Sequence, residues 1–345
     1  MSILGSEVPV GKISKELKAL ADSDTSRTQA CMMNLAVFTE DHTALEANHQ
    51  LIAELTRNHT CRALSIALDR NASEASTTSW VSAHCNMSNG KKTVCSEQIS
   101  FLLTGYVTGR MRNTVFSNLN SDLPLIFWWQ GELSEVFEPR LYTLIDRFIF
   151  NSSDWLNPAE GYSRLLEAAD DVKRRFVIQD LAWTQSYYFR LAFASLFDEA
   201  LAQQQFPHIS EVAVQVGEGK RSVGLLLIAW LANQAGWSLK GGNQNGLFTF
   251  ENPEGLLIQA SLTESGSEPI YELGIASDDA GFLLRKNEGE NFIQQYIQGE
   301  NGIQQMTASA GSNEQIDLVA DQLSRGGKNA LLRKTIPLFM ELCNA

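Results

Sequence analysis

Two short apolar runs constrain the fold more than any other feature. They are CMMNLAVF (Cys31–Phe38) and CRALSIAL (Cys61–Leu68). Each reads as a buried strand. Between them lies TEDHTALEANHQLIAELTRNH, in which Leu45, Ile52 and Leu55 recur at near-helical spacing. Thr43 with Glu46 has the form of a capping box at the helix start. Strand, helix, strand at this distance is a βαβ unit, and it predicts a parallel pair because a tight hairpin cannot join strands so far apart. This half of the chain therefore belongs to the α/β class.

The next segments extend the same sheet. SAHCNMSNGKKTVC (Ser82–Cys95) reads as a hairpin about Asn89-Gly90. A helix is expected over much of 105–119, then strands at LPLIFWW (Leu123–Trp129) and DRFIFNSS (Asp146–Ser153). The result is a mixed-sheet α/β domain over 31–155, preceded by a mobile arm (1–30) with one short helix at Ile13–Leu20. Asn157-Pro158 is a strong helix start, with Asn as cap and Pro in the first turn. Two long helices follow, and Pro207 ends the second, giving a helical hairpin over 156–206. From 207 to 345 the pattern is strand, turn, buried helix, then an antiparallel meander punctuated by Asp278-Asp279, Asn287-Glu288-Gly289 and Gly299–Gly302. Two helices close this α+β domain, the first with Ser312 and Gln315 as a capping box. A length of 345 residues agrees with more than one domain.

Charge narrows the function. Forty acidic residues against 27 basic ones give a formal net charge of −13, and no basic cluster offsets it. Nucleic acid and anionic membranes are therefore poor partners. The longest apolar stretch, Val223–Ala232, is too short to span a bilayer. MSILGSEVPVGK has neither a basic start nor a sustained apolar run, so no secretory signal is expected and the cytoplasm is the expected location. Five cysteines at wide spacings do not make a secreted disulfide framework.

Motifs of catalysis are scarce. VGEGKRS (Val216–Ser222) joins a strand to a helix, yet it lacks the P-loop spacing and reads best as a polar turn; a sugar-phosphate site there is the weaker alternative. GxGxxG, GxSxG and HExxH are all missing, and His42, His49, His59, His84 and His208 are scattered. No catalytic residue, cofactor or metal site is assigned. Cys31, Cys61, Cys85 and Cys95 share one half but form no CxxC pair, so buried inert thiols outweigh a zinc site. Register decides whether Cys85 and Cys95 can bond. A two-residue Asn89-Gly90 turn sets His84 against Cys95; a three-residue turn sets Cys85 against Cys95. Asn-Gly favours the first. Cys85, Cys95 and Cys343 are the candidate redox thiols, and Cys343, close to the C-terminus, is expected to be the most accessible.

Trp128-Trp129 and the aromatic run around Trp183, Tyr187, Tyr188 and Phe189 admit two readings, core packing or a partner surface. The segments RTQACMMNLAVF, HTCRALSIAL, SAHC with VCSEQI, SDLPLIFWWQGE, DRFIFNSSDW, DLAWTQSYYFRLAFASLFD and LLLIAWLANQAGW occur in an order that resembles the OpcA family, assembly proteins of glucose-6-phosphate dehydrogenase in cyanobacteria and actinobacteria. The likeness covers roughly residues 27–240. Gln130 stands where the family usually has Arg, Thr60 where it has Pro, and Ala182 and Gln185 where it has Asn and Arg. The resemblance implies a non-catalytic activator whose partner is glucose-6-phosphate dehydrogenase, with thioredoxin a further candidate partner if its thiols respond to redox state. The expected partner surface is Trp128, Trp129, Gln130, Asp180, Trp183 and Arg190.

Overall fold

The computed structural model describes residues 2–22, 31–88, 91–105, 113, 115–171, 176–300, 302–327 and 329–345. The chain divides into two compact units. One comprises Met1–Asp154, Leu165–Gln179 and Val319–Gly326; the other comprises Trp155–Arg164, Asp180–Leu318 and Gly327–Ala345.

The first unit is built on strands β1 (Ser6–Glu7), β2 (Met33–Thr39), β3 (Cys61–Asp69), β4 (Ser76–Ser88), β5 (Lys91–Thr104), β6 (Leu125–Trp129), β7 (Arg147–Phe150) and β8 (Val177–Asp180). They form one eight-stranded sheet in the order β1-β4-β5-β3-β2-β6-β7-β8. β2 runs parallel to β3 and β6, β3 to β5, and β6 to β7. The expected parallel pair is thus present. β1 and β4 pair antiparallel at one edge. Without these two, β5-β3-β2-β6-β7-β8 is the 3-2-1-4-5-6 order of a doubly wound, dinucleotide-type sheet. The central strands are apolar along their length because both faces are covered; Leu35, Phe38, Leu64, Ile66 and Phe127 are fully buried.

The N-terminal segment is not a free arm. β1 adds to the sheet edge, and α1 (Ile13–Asp22) buries Ile13 and Leu17. Residues 23–30 lie outside the described residues, as does most of the helix expected over 105–119. α2 (Leu45–Leu55) follows a 3-10 turn, His42–Ala44. The expected Thr43–Glu46 box does not cap α2: its N-cap is Ala44, with no side-chain cap bond, and the Asp41 carboxylate instead caps the 3-10 turn by accepting the Thr43 N–H.

The register that Asn-Gly favours does not reach the cysteines: His84 pairs with Ser96, not Cys95, and Cys85 pairs with Cys95. Residues 89 and 90 lie outside the described residues, but Ser88 pairs with Lys91 and Met87 with Lys92, the two-residue register. One extra residue, Thr93, then shifts the ladder, so Asn86 pairs with Val94 and Cys85 with Cys95. A β-bulge of this kind leaves no mark in a short sequence window.

α3 (Pro139–Tyr142) is brief, and α4 (Pro158–Asp171) starts where Asn157 accepts the Glu160 N–H. The second expected long helix is instead a succession of α5 (Leu181–Gln185), α6 (Tyr187–Ser195) and α7 (Ala200–Gln205). At the first break the Trp183 carbonyl receives the Ser186 hydroxyl and the Arg190 guanidinium. Side chains that bond a helical carbonyl in this way compete with the backbone ladder.

The second unit has β9 (Glu211–Val216), α8 (Arg221–Ala235), β10 (Ser238–Asn243), β11 (Leu247–Glu251), β12 (Leu257–Glu264), β13 (Glu272–Ala276), β14 (Gly281–Arg285), β15 (Phe292–Gly299) and β16 (Gly302–Ser309). α9 (Gln315–Ser324) and α10 (Ala330–Asn344) end the chain. Its sheet has the order β10-β11-β12-β9-β13-β14-β15-β16. The predicted meander is β13 to β16; β9 inserts beside it, antiparallel to β13 and parallel to β12. α8 is buried from Ser222 to Ala232 and packs closely on β12. At Gly224 a Cβ would come within 2.4 Å of Leu262 Cδ1, so a larger residue there would have to displace that side chain. Among the described residues no helix is long and apolar enough to cross a membrane.

Candidate functional site

In open α/β sheets ligands bind beyond the carboxyl ends of the strands, where the strand order reverses. In this chain that point lies between β2 and β6, within the first unit. The loops after β2, β3 and β6 meet there. Arg70, just beyond β3, joins them. Its Nη2 donates to Glu40 Oε1 at 2.7 Å and to Ser134 Oγ at 2.9 Å, and its Nη1 donates to Glu135. Asn48 on α2 and Gln130 after β6 exchange a reciprocal pair of amide hydrogen bonds at 2.8 and 2.9 Å. The Gln130 N–H also donates to the Phe38 carbonyl.

These residues do not suit a dinucleotide. The turn after β2 reads Thr39-Glu40-Asp41-His42-Thr43-Ala44, with no glycine to let a pyrophosphate approach the backbone. The Asp41 carboxylate already occupies the anion position at the start of the helical turn. Asp69, at the end of β3, has His42 Nδ1 at 3.9 Å and accepts the Asn71 N–H. Among the described residues no cluster of His, Cys, Asp and Glu could hold a metal ion.

The residues expected to face a partner are placed inside the fold. Trp128 and Trp129 are each 1% exposed, and Trp129 lies 4.4 Å from Phe38 between ring centroids, its Nε1 donating to the Glu132 carbonyl. Asp180 is fully buried, accepting the Tyr162 hydroxyl at 2.6 Å and the Ala182 N–H at 2.9 Å. The Arg190 guanidinium lies 3.4 Å from the centre of the Trp183 ring, and both side chains are buried. Half-buried Gln130 is tied to Asn48. Five of the six are thus buried, and Gln130 is half-buried. The exposed large apolar side chains on α6 are Tyr188 and Leu191.

Cys85 and Cys95 are bonded to each other, as the bulged register allows. Cys343 remains a free thiol and is only partly exposed; burial pushes its pKa up to about 12, against the opposing pull of Arg221. Cys31 is the other partly exposed free thiol among the described residues. Cys61 is buried and likewise raised to about 12, chiefly by burial. Beside the disulfide, His84 Nε2 lies 2.6 Å from Gln98 Oε1, and its ring is 5.3 Å from that of His49. Burial first, and His84 second, lower the His49 pKa to about 4. At the Val216–Ser222 turn, Arg221 is engaged by Glu264 and by the Gln244 carbonyl.

Comparison with protein families gives two matches along the chain. Residues 52–167 match the glucose-6-phosphate dehydrogenase subunit N-terminal domain, and residues 177–336 match the corresponding C-terminal domain. The chain belongs to the OpcA family. No curated protein matches it. Among solved structures it is similar to KijD10, a 3-ketoreductase from Actinomadura kijaniata in complex with TDP-benzene and NADP, with a TM-score of 0.52 at 9% identity over 91% of this chain and 96% of that one. A point mutant of the same enzyme, with the same two ligands, gives 0.50 at 9% identity, over 90% and 96%. At this identity the likeness concerns the fold alone. This OpcA-family chain thus has a fold similar to that of an oxidoreductase.

The switch-point residues were missed by sequence reasoning. Glu40, Arg70 and Glu135 are far apart in the chain and belong to no motif. The signal that could have found them is topological: three parallel strands ending together, with an unlike charge on one loop.

Proposed function

We propose that this chain is a non-catalytic assembly factor and allosteric activator of glucose-6-phosphate dehydrogenase, acting in the cytoplasm within the oxidative pentose phosphate pathway. The match of both family models along the chain is the observation that carries the reading. Activation works by population shift. The chain binds one quaternary or conformational state of the dehydrogenase more tightly than another, and the difference sets the gain. Couplings of roughly 1–3 kcal/mol correspond to changes of about 5–150-fold in affinity. Of the segments first expected to meet the enzyme, α6 offers Tyr188 and Leu191. The test is a titration of purified dehydrogenase with this protein, following activity and complex mass together. A saturable rise in activity that tracks a heavier complex is expected; a dehydrogenase unchanged in both mass and activity sinks the reading.

A second reading is supported by the Cys85–Cys95 bond. In a reducing compartment such a bond is transient and regulatory, and thioredoxin would return it to the dithiol. Activation would then differ between the oxidised and reduced forms. Equal activation by wild type and a Cys85→Ser/Cys95→Ser variant, each with and without reductant, disposes of it.

A further inference from the structure

A sheet with the 3-2-1-4-5-6 order leads to the expectation of a dinucleotide at its switch point. In this chain the same place is filled by side chains of the chain itself. Arg70 reaches across from the end of β3 to Glu40, beyond β2, and to Ser134 and Glu135, beyond β6. The Asn48–Gln130 amide pair closes the same gap between α2 and β6 one layer deeper, where Asn48 is 4% exposed. Asp41 supplies its own carboxylate to the N–H that a phosphate would need. The loops that meet at this guanidinium carry Glu40, Asp41, Asp69, Glu132 and Glu135. Such a lip repels a pyrophosphate, whereas a dinucleotide site presents N–H groups and a neutral, glycine-rich turn.

We propose that this clasp stands in place of a dinucleotide: the crevice binds neither NAD nor NADP, and Arg70 holds together the three loops that a cofactor would otherwise order. Charge-assisted hydrogen bonds from one forked guanidinium to two carboxylates suit that task, because the fork fixes direction as well as distance. Its Nε is left without a partner among the described residues, so the fork is not fully used. One remaining donor does not offset the surrounding carboxylates for a ligand of the same sign.

Two measurements on the full chain test the proposal. Calorimetric titration with NAD+ and with NADP+ is expected to give no saturable heat; binding of either in the micromolar range overturns it. Arg70→Ala is expected to lower the unfolding midpoint by roughly 2–4 °C. In the same variant, amide exchange should accelerate in residues 40–48 and 130–137, with the strands of the second unit unchanged. An unaltered midpoint with unaltered exchange in those loops overturns the clasp. Should Arg70→Ala fail to fold, Arg70→Lys keeps the charge and loses the fork. Faster exchange in the same two loops then supports the proposal, and wild-type exchange refutes it.

Discussion

The two eight-stranded sheets bury their residues in different ways. In the first, β2, β3 and β6 are buried almost continuously, from Leu35 to Thr39, Ala63 to Leu68, and Leu125 to Trp129. In the second, β9, β12, β13 and β14 alternate, with one residue inward and the next outward. The outward set leaves a shallow depression of about 480 Å³ lined by Ala213, Gly274, Leu283, Tyr296 and Ile303, among others. A strand covered on both faces has little room for polar chemistry along its length, so that chemistry is displaced to the strand ends. There Arg70 and its carboxylates are found. A strand covered on one face can carry charge anywhere outward, as the Glu272–Arg285 pair does.

The sharpest way to break this contrast is to truncate each sheet. Phe127 is fully buried and stacks on Phe148 with ring planes 2° apart. Phe127→Ala should cost about 3–5 kcal/mol in denaturant unfolding. In the second unit the corresponding vulnerability is polar. Lys286 Nζ lies 2.6 Å from Glu268 Oε2, with side chains 8% and 14% exposed. Lys286→Met strands that carboxylate, and a loss of about 3 kcal/mol is expected in the same assay. Removing the Cys85–Cys95 bond by Ser substitution should cost about 2–3 kcal/mol, for the short loop it closes. Equal unfolding curves with and without reductant would contradict this.

His49 gives a pH signature confined to the first unit. Its folded pKa of about 4 lies below the ordinary 6.5, so the neutral ring is favoured in the folded protein. Its stabilising contribution is therefore whole above about pH 6.5 and is lost as pH falls from there towards 4. A His49→Gln variant should flatten the midpoint-against-pH curve across that window. At the small end, Gln259→Ala, outward on β12, should stay within about 0.5 kcal/mol of wild type. A larger loss would mean that the outer face of the second sheet is covered after all.

Much of the fold was legible. The runs at Cys31 and Cys61 became β2 and β3, paired in parallel, and Asn157-Pro158 opened α4. These features depend on local periodicity and caps, which a sequence displays directly. What was not legible depended on distant groups. The break between α5 and α6 arises where Ser186 and Arg190 claim the Trp183 carbonyl, a choice no periodicity reveals. Trp128 and Trp129 admitted both a core and a surface reading until β2 and β7 were placed on either side of β6.

By itself the sequence determined most of the strands and helices, the α/β and α+β character of the two halves, and the family. These rest on residue spacing and on ordered motifs. Only the tertiary structure decided the strand order, the bulge at Thr93 that brings Cys85 to Cys95, and the meeting of Glu40, Arg70 and Glu135. The physical reason is reach. Hydrophobic period acts over a few residues, whereas register and ion pairing depend on which chain ends the packed sheet brings within about 3 Å of one another.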